Sequence, residues 1–253
     1  MRRRGHSLPE VLIALTLTAA MSSALAGAFS AARTVARRHS WIVRSAEVLR
    51  VSTVALGDEL RVLDPTADLR IVAPDSVALR AFRGGGVVCA ADRGTAVFVR
   101  YRGLREPEPA KDSVLVVDSI GAVRASALLE SERAADTCTV RDGESLYRWS
   151  VSVPAPAGTL LLLFESGSYH LSDGTLRYRR GDGGRQPLTA DLLDDRESMF
   201  LPVSDARAGG GIPLAIEGIF ALRPDREAGA NAQARSARIR FTLLNARREE
   251  ARP

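Results

Sequence analysis

The chain has 253 residues, a formal net charge of +5 and 45% hydrophobic residues, so most of it is expected to fold. Setting aside an N-terminal apolar segment leaves roughly 190 to 200 residues, enough for one sizeable core. The basic residues are nearly all arginine, with Lys111 the only lysine, and they are scattered rather than interleaved with aromatics, which argues against nucleic acid as the main partner.

The first element is an apolar run. Three arginines, Arg2 to Arg4, precede Gly5, and nineteen uncharged residues, 11–29, follow Glu10. A cleaved secretory signal accounts for the basic start, the apolar stretch and the small-x-small site at Ala24, Leu25 and Ala26. An uncleaved anchor accounts for the arginines by the positive-inside rule. Neither needs Glu10, because a carboxylate costs about 2–3 kcal/mol at the centre of a span and less at its edge. Pro9 suits the first turn of a helix, where its missing N–H is not used.

The helical pattern does not stop at residue 29. Val35, Ile42, Ala46, Leu49, Thr53, Leu56, Leu60 and Leu63 step by sevens, threes and fours, which predicts one apolar stripe. Arg37, Arg38, Arg44, Glu47, Arg50, Asp58, Glu59 and Arg61 lie off it, and no proline occurs between Pro9 and Pro65. Gly27 and Gly57 weaken a helix without breaking it. The expectation is one helix over about 8–63, roughly 80 Å long. Its first half is apolar all round, and the stripe of its second half faces a sheet.

"RRRGHSLPEVLIALTL" resembles the prepilin-type cleavage and methylation signal of type IV pilins and type II secretion pseudopilins. That signal is a short basic leader ending in glycine, a residue that becomes N-methylated after the cut, a glutamate fifth after the cut, and about twenty apolar residues. Gly5 matches the glycine, His6 the new N-terminus and site of methylation, and Glu10 the glutamate. His6 departs from the phenylalanine usual there. The resemblance implies cleavage by a prepilin peptidase between Gly5 and His6. It also implies that the new His6 amine of one subunit pairs with Glu10 of a neighbour. An unpaired charge in a dry helix bundle costs several kcal/mol, so this pair sets axial register.

Beyond residue 69 the texture is that of short antiparallel strands separated by Gly, Asp and Pro. The runs are 69–73, 77–82, 86–91, 95–101, 113–119, 146–153, 159–166, 167–171, 175–180 and 198–203. "YHLSDGTLRYRR" is the clearest hairpin, with Asp173 and Gly174 as its two-residue turn. "RRGDGGR" at 179–185 reads as turn chemistry rather than adhesion. Residues 206–213 and 224–236 read as loops, and the last strand places Ile239, Phe241 and Leu243 on one face. The segment 169–203 also resembles the C-terminal half of J-type (PulJ-like) or W-type (PilW-like) minor pilins, with a tyrosine strand, a DGTLxR hairpin and a QPL segment. The stretch 84–150 is longer than a minimal pilin needs.

Cys89 and Cys138 are the only cysteines and have no CxxC spacing. Outside the cytoplasm a Cys89–Cys138 disulfide is expected; two unpaired buried thiols are the alternative. The three histidines, His6, His39 and His170, form no HExxH, and there is no GxSxG or P-loop, so no catalytic residue, cofactor or metal is assigned. Asp191, Asp194, Asp195 and Glu197 cluster in a manner that suits calcium, but their spacing is not that of an EF-hand.

The expected fold is α+β and pilin-like, a long N-terminal α-helix packed on an antiparallel β-sheet. Residues 1–5 form the leader, 6–29 the membrane and filament-core half of the helix, 30–64 its amphipathic periplasmic half, and 65–253 the β-rich body. The resemblance implies a non-enzymatic minor pilin or pseudopilin at the inner membrane, its body in the periplasm. Its partners would be other pilin subunits, the prepilin peptidase, an assembly platform and the membrane. The alternative is an exported β-rich enzyme or binding module released by a cut after Ala26.

Overall fold

The computed structural model describes residues 7–92, 95–135, 137–204, 212–224 and 235–243. The chain forms two units, one carrying the helix as far as Glu47 and the other beginning at Val48. A single helix, α1 (Leu8–Leu60), enters both. It starts at Leu8, directly after Ser7, whose carbonyl oxygen accepts from the amides of Glu10 and Val11. It ends at Leu60, short of the expected 63, and the chain then turns at Asp64 and Pro65. There Asp64 accepts from Thr66 and Ala67, while Asp68 accepts from the amide of Asp64, so the turn satisfies its own donors.

In the first unit the hydroxyls of Thr16, Thr18, Ser23 and Thr34 donate to carbonyls three or four residues back, at 2.7–3.0 Å. These bonds let polar side chains sit in an apolar helix without needing water.

Among the described residues the body of the second unit contains twelve strands: β1 (Leu69–Ala73), β2 (Ser76–Ala91), β3 (Ala96–Gly103), β4 (Asp112–Val117), β5 (Val123–Arg133), β6 (Ser145–Val151), β7 (Leu160–Ser172), β8 (Thr175–Arg180), β9 (Arg185–Pro187), β10 (Met199–Ser204), β11 (Pro213–Leu222) and β12 (Arg235–Thr242). All named pairings are antiparallel. The sequence expectation of α+β with an antiparallel sheet holds.

Two long strands organise the body. The first half of β2 and the second half of β7 pair centrally in the order β1-β2-β7-β8-β9, a platform. Beyond Phe82 the same two strands continue in the order β2-β3-β6-β5-β4-β7 and return to β2, closing a six-stranded barrel. Val99, Tyr101, Val114, Val116, Trp149, Leu161 and Leu163 form its filled core. The long stretch 84–150 supplies most of the barrel, and β7 completes it.

Closure depends on Gly84, Gly85 and Gly86. A Cβ at Gly86 would lie 2.6 Å from the carbonyl oxygen of Arg100, a distance no side chain tolerates. The runs 77–82 and 86–91, expected as separate strands, are therefore one strand bent through glycine. The runs 159–166 and 167–171 likewise merge in β7. β5, β9 and β11 were not expected as strands.

Residues 48–60 of α1 lie on the platform. Val48, Ser52, Leu56, Leu60 and Leu63 are buried, and Tyr169 donates to the carbonyl of Ala55. This corrects part of the expected stripe. Val48 and Ser52 are fully buried, whereas Leu49 and Thr53, expected on the stripe, are only half-buried. The buried face contains a serine, which a search for apolar spacing passes over. β10, β11 and β12 form a separate three-stranded sheet. Phe241 and Leu243 are buried on one face of the last strand and Ile239 is half-buried, as their alternation required.

Candidate functional site

Two features qualify, an exposed apolar helix and a buried charge network. Among the described residues α1 is the helix long and apolar enough to cross a membrane, a property shared by signal sequences. Its large apolar side chains from Leu8 to Phe29 are exposed in this single chain, including Leu12, Leu15, Met21 and Leu25. Exposure on every face of a helix is stable only in lipid or against other chains. Glu10 stands in the first turn, where a carboxylate complements the positive end of the helix dipole. Gly5 and His6, the expected cleavage and methylation positions, lie outside the described residues.

Cys89 and Cys138 form a disulfide with their Cα atoms 6.3 Å apart. It ties the connection between β5 and β6 to β2. The acidic cluster is drawn apart by other work. Asp195 accepts the amide of Gly174 at the β7–β8 turn, and Asp194 accepts the amide of Arg196. No group of three or more His, Cys, Asp or Glu able to hold a metal occurs among the described residues. The arginine of the Arg-Gly-Asp triplet, Arg180, turns inward and pairs with Glu165, Asp112 and Glu108.

That pairing belongs to the network. Asp112 and Glu165 sit opposite each other on β4 and β7, nearly fully buried. Arg105 bridges them, reaching Glu165 at 2.7 Å. Arg83 holds Glu165 at 2.9 Å with Nε and Glu59 of α1 at 2.5 Å with Nη1, while a third nitrogen donates to Tyr178. Arg83 can do this because it is the extra residue of a β-bulge between Phe82 and Gly84, and a bulge re-aims its side chain.

Burial pushes the carboxyl of Glu165 up, but the Tyr178 hydrogen bond and the charges of Arg83 and Arg105 outweigh it and hold it below the usual range. At Glu59 burial wins over the attraction of Arg83, and the carboxyl lies above the usual range. Burial raises Tyr101, beside Arg105 and Asp112, to about 12.

Chemically, each of these carboxylates is engaged by a guanidinium, an arrangement that fixes geometry across β2, β4, β7, β8 and residues 48–60 of α1. Sequence reasoning missed it. One signal was present: Glu165 interrupts the apolar run Leu160 to Phe164, as Glu10 does at the head of its own run.

No family model, curated protein or solved structure matches the chain, so the functional reading rests on its own residues.

Proposed function

We propose that the chain is a minor pilin or pseudopilin of the J or W type. In this reading it is inserted in the inner membrane with its leader in the cytoplasm and its body in the periplasm. It is cut after Gly5 and assembled into a type II secretion pseudopilus or a type IV pilus. The observation that supports this most is the continuity of α1. The helix begins beside the prepilin-like signal, passes Ala24, Ala26 and Gly27 without a break, and continues into the residues seated on the platform. A secretory cut after Ala26 would start the mature chain inside that helix.

The physical logic is a transfer of one apolar surface between two solvents. In the precursor the residues 11–29 face lipid. In the filament they face the same helices of other subunits, and the small residues Ala19, Ala20, Ser22, Ser23, Ala26 and Gly27 let backbones approach. Packing of this kind has no strong register of its own. The His6 amine, created by the cut, and Glu10 of a neighbour supply one. Work is done by helix packing and alignment, with no reaction.

The test is Glu10→Ala in the native host. The expected result is normal membrane insertion and leader removal, with incorporation into filaments reduced at least about ten-fold, the loss of one buried charge partner. Unchanged incorporation overturns the register role.

A further inference from the structure

The platform's outer face, opposite α1, carries a row of charge that the network does not use. Ser168 on β7, Arg179 on β8 and Arg185 on β9 stand directly opposite one another. Like charges directly opposite on neighbouring strands are destabilising. His170 and Arg177 form the next row on the same face. The nearby carboxylates only partly compensate. Arg177 pairs with Asp173 at 3.1 Å, and Arg179 pairs at 3.4 Å with Asp182, which is fully exposed. Among the described residues no carboxylate lies within ion-pair distance of Arg185.

Two buried polar atoms here also lack a partner among the described residues, Nδ1 of His170 and Nε of Arg179. His170 is 8% exposed, and its other nitrogen is held by Ser168 Oγ at 2.8 Å. Burial depresses its pKa, Arg185 and Arg179 depress it further, and Asp75 opposes them.

We propose that this face docks an extended acidic polypeptide segment, with its carboxylates on Arg177, Arg179 and Arg185. The geometry separates this ligand from a single free oxyanion. Arg177 and Arg179 alternate on one strand and so repeat every ~6.8 Å, the repeat of alternate side chains along another extended chain. Arg179 and Arg185 lie one strand apart, about 4.8 Å, which lets one carboxylate bridge both. The neighbouring positions Ser76, Ala78 and Ser168 on this face are small and make a floor on which a backbone can lie, bounded by Arg80, which stands opposite Ser166, lies over Phe164 and pairs with Asp68. Displacing Asp173 and Asp182 costs little, because exposed ion pairs contribute about 0–1 kcal/mol. This inference does not rest on the filament reading.

The test uses the full chain in zwitterionic detergent micelles and a labelled hexaglutamate peptide, with hexaglutamine as the neutral control. Hexaglutamate is expected to bind at low salt and to weaken as salt rises. Arg185→Gln is expected to weaken it about ten-fold, the loss of one charge-assisted contact. Arg124→Gln, an exposed arginine on β5, should leave binding unchanged. Equal weakening by both variants would mean diffuse attraction by net charge and overturns the proposal, as does absence of binding. Binding of inorganic phosphate without binding of hexaglutamate reassigns the row to a free oxyanion and also overturns it.

Discussion

Arg83 joins Glu59 of the helix at 2.5 Å while its other nitrogens hold Glu165 and Tyr178 on the platform. One side chain, aimed by one bulge, thus connects the end of α1 to the sheet. Removing one member of a buried ion pair strands the others, at a cost of about 3–5 kcal/mol. Arg83→Met is expected to lower unfolding stability by that amount and to speed amide exchange across residues 48–60. An unchanged denaturation midpoint with unchanged exchange would show that apolar packing alone seats the helix.

The network also fixes an acid response. Glu165 titrates below its unfolded value, so its contribution is present above about pH 4.5 and is lost as pH falls through its folded value. Glu59 titrates above its unfolded value. Its contribution therefore has the opposite sign, present at low pH and lost as pH rises through its folded value. Stability measured from pH 3 to 7 should show an acid-side fall that Glu165→Gln reduces and Glu59→Gln preserves. The reverse pattern would mean that the two carboxylates exchange roles.

Two glycines should respond in opposite directions. Gly86→Ala places a methyl against Arg100 O and Val99 Cγ1 at the barrel seam and should cost about 1–3 kcal/mol. Gly57→Ala meets only Phe241 carbons at 3.8 Å, an ordinary contact, inside a helix. It should stabilise by up to about 1 kcal/mol. Thermal unfolding of the two variants checks both signs.

The disulfide closes a loop with a sequence separation of 49. By loop-closure entropy it contributes about 4 kcal/mol. Non-reducing peptide mapping of exported protein should recover Cys89 linked to Cys138. The Cys89→Ala, Cys138→Ala double variant should unfold at lower denaturant. Two alkylatable thiols in native protein would contradict the bridge.

What could be read in advance followed the range of the interaction. The helix was legible because its evidence is local: no proline between Pro9 and Pro65, and apolar spacing that ends at Leu63. The Asp173–Gly174 hairpin was legible for the same reason, and Asp173 takes φ 53° there. The barrel was not. Its closure pairs Gly86 with Leu161, and nothing near either residue names the other. Gly84 and Gly85 fell between two expected strands because a glycine that admits a close neighbour and a glycine that turns the chain are spelled alike. Arg83, Arg105 and Arg180 read as scattered surface charge, since their acids come from distant strands. β11 was overlooked beside a glycine-rich stretch, although Ile216, Phe220 and Leu222 are all buried.

The mass of the mature N-terminus decides the functional reading. Protein recovered from membranes of the native host should begin at His6, with or without one added methyl, and retain the whole of α1. A mature chain beginning at Gly27 would contradict the pilin reading, because the apolar half of the helix and Glu10 would then have been discarded with a signal peptide.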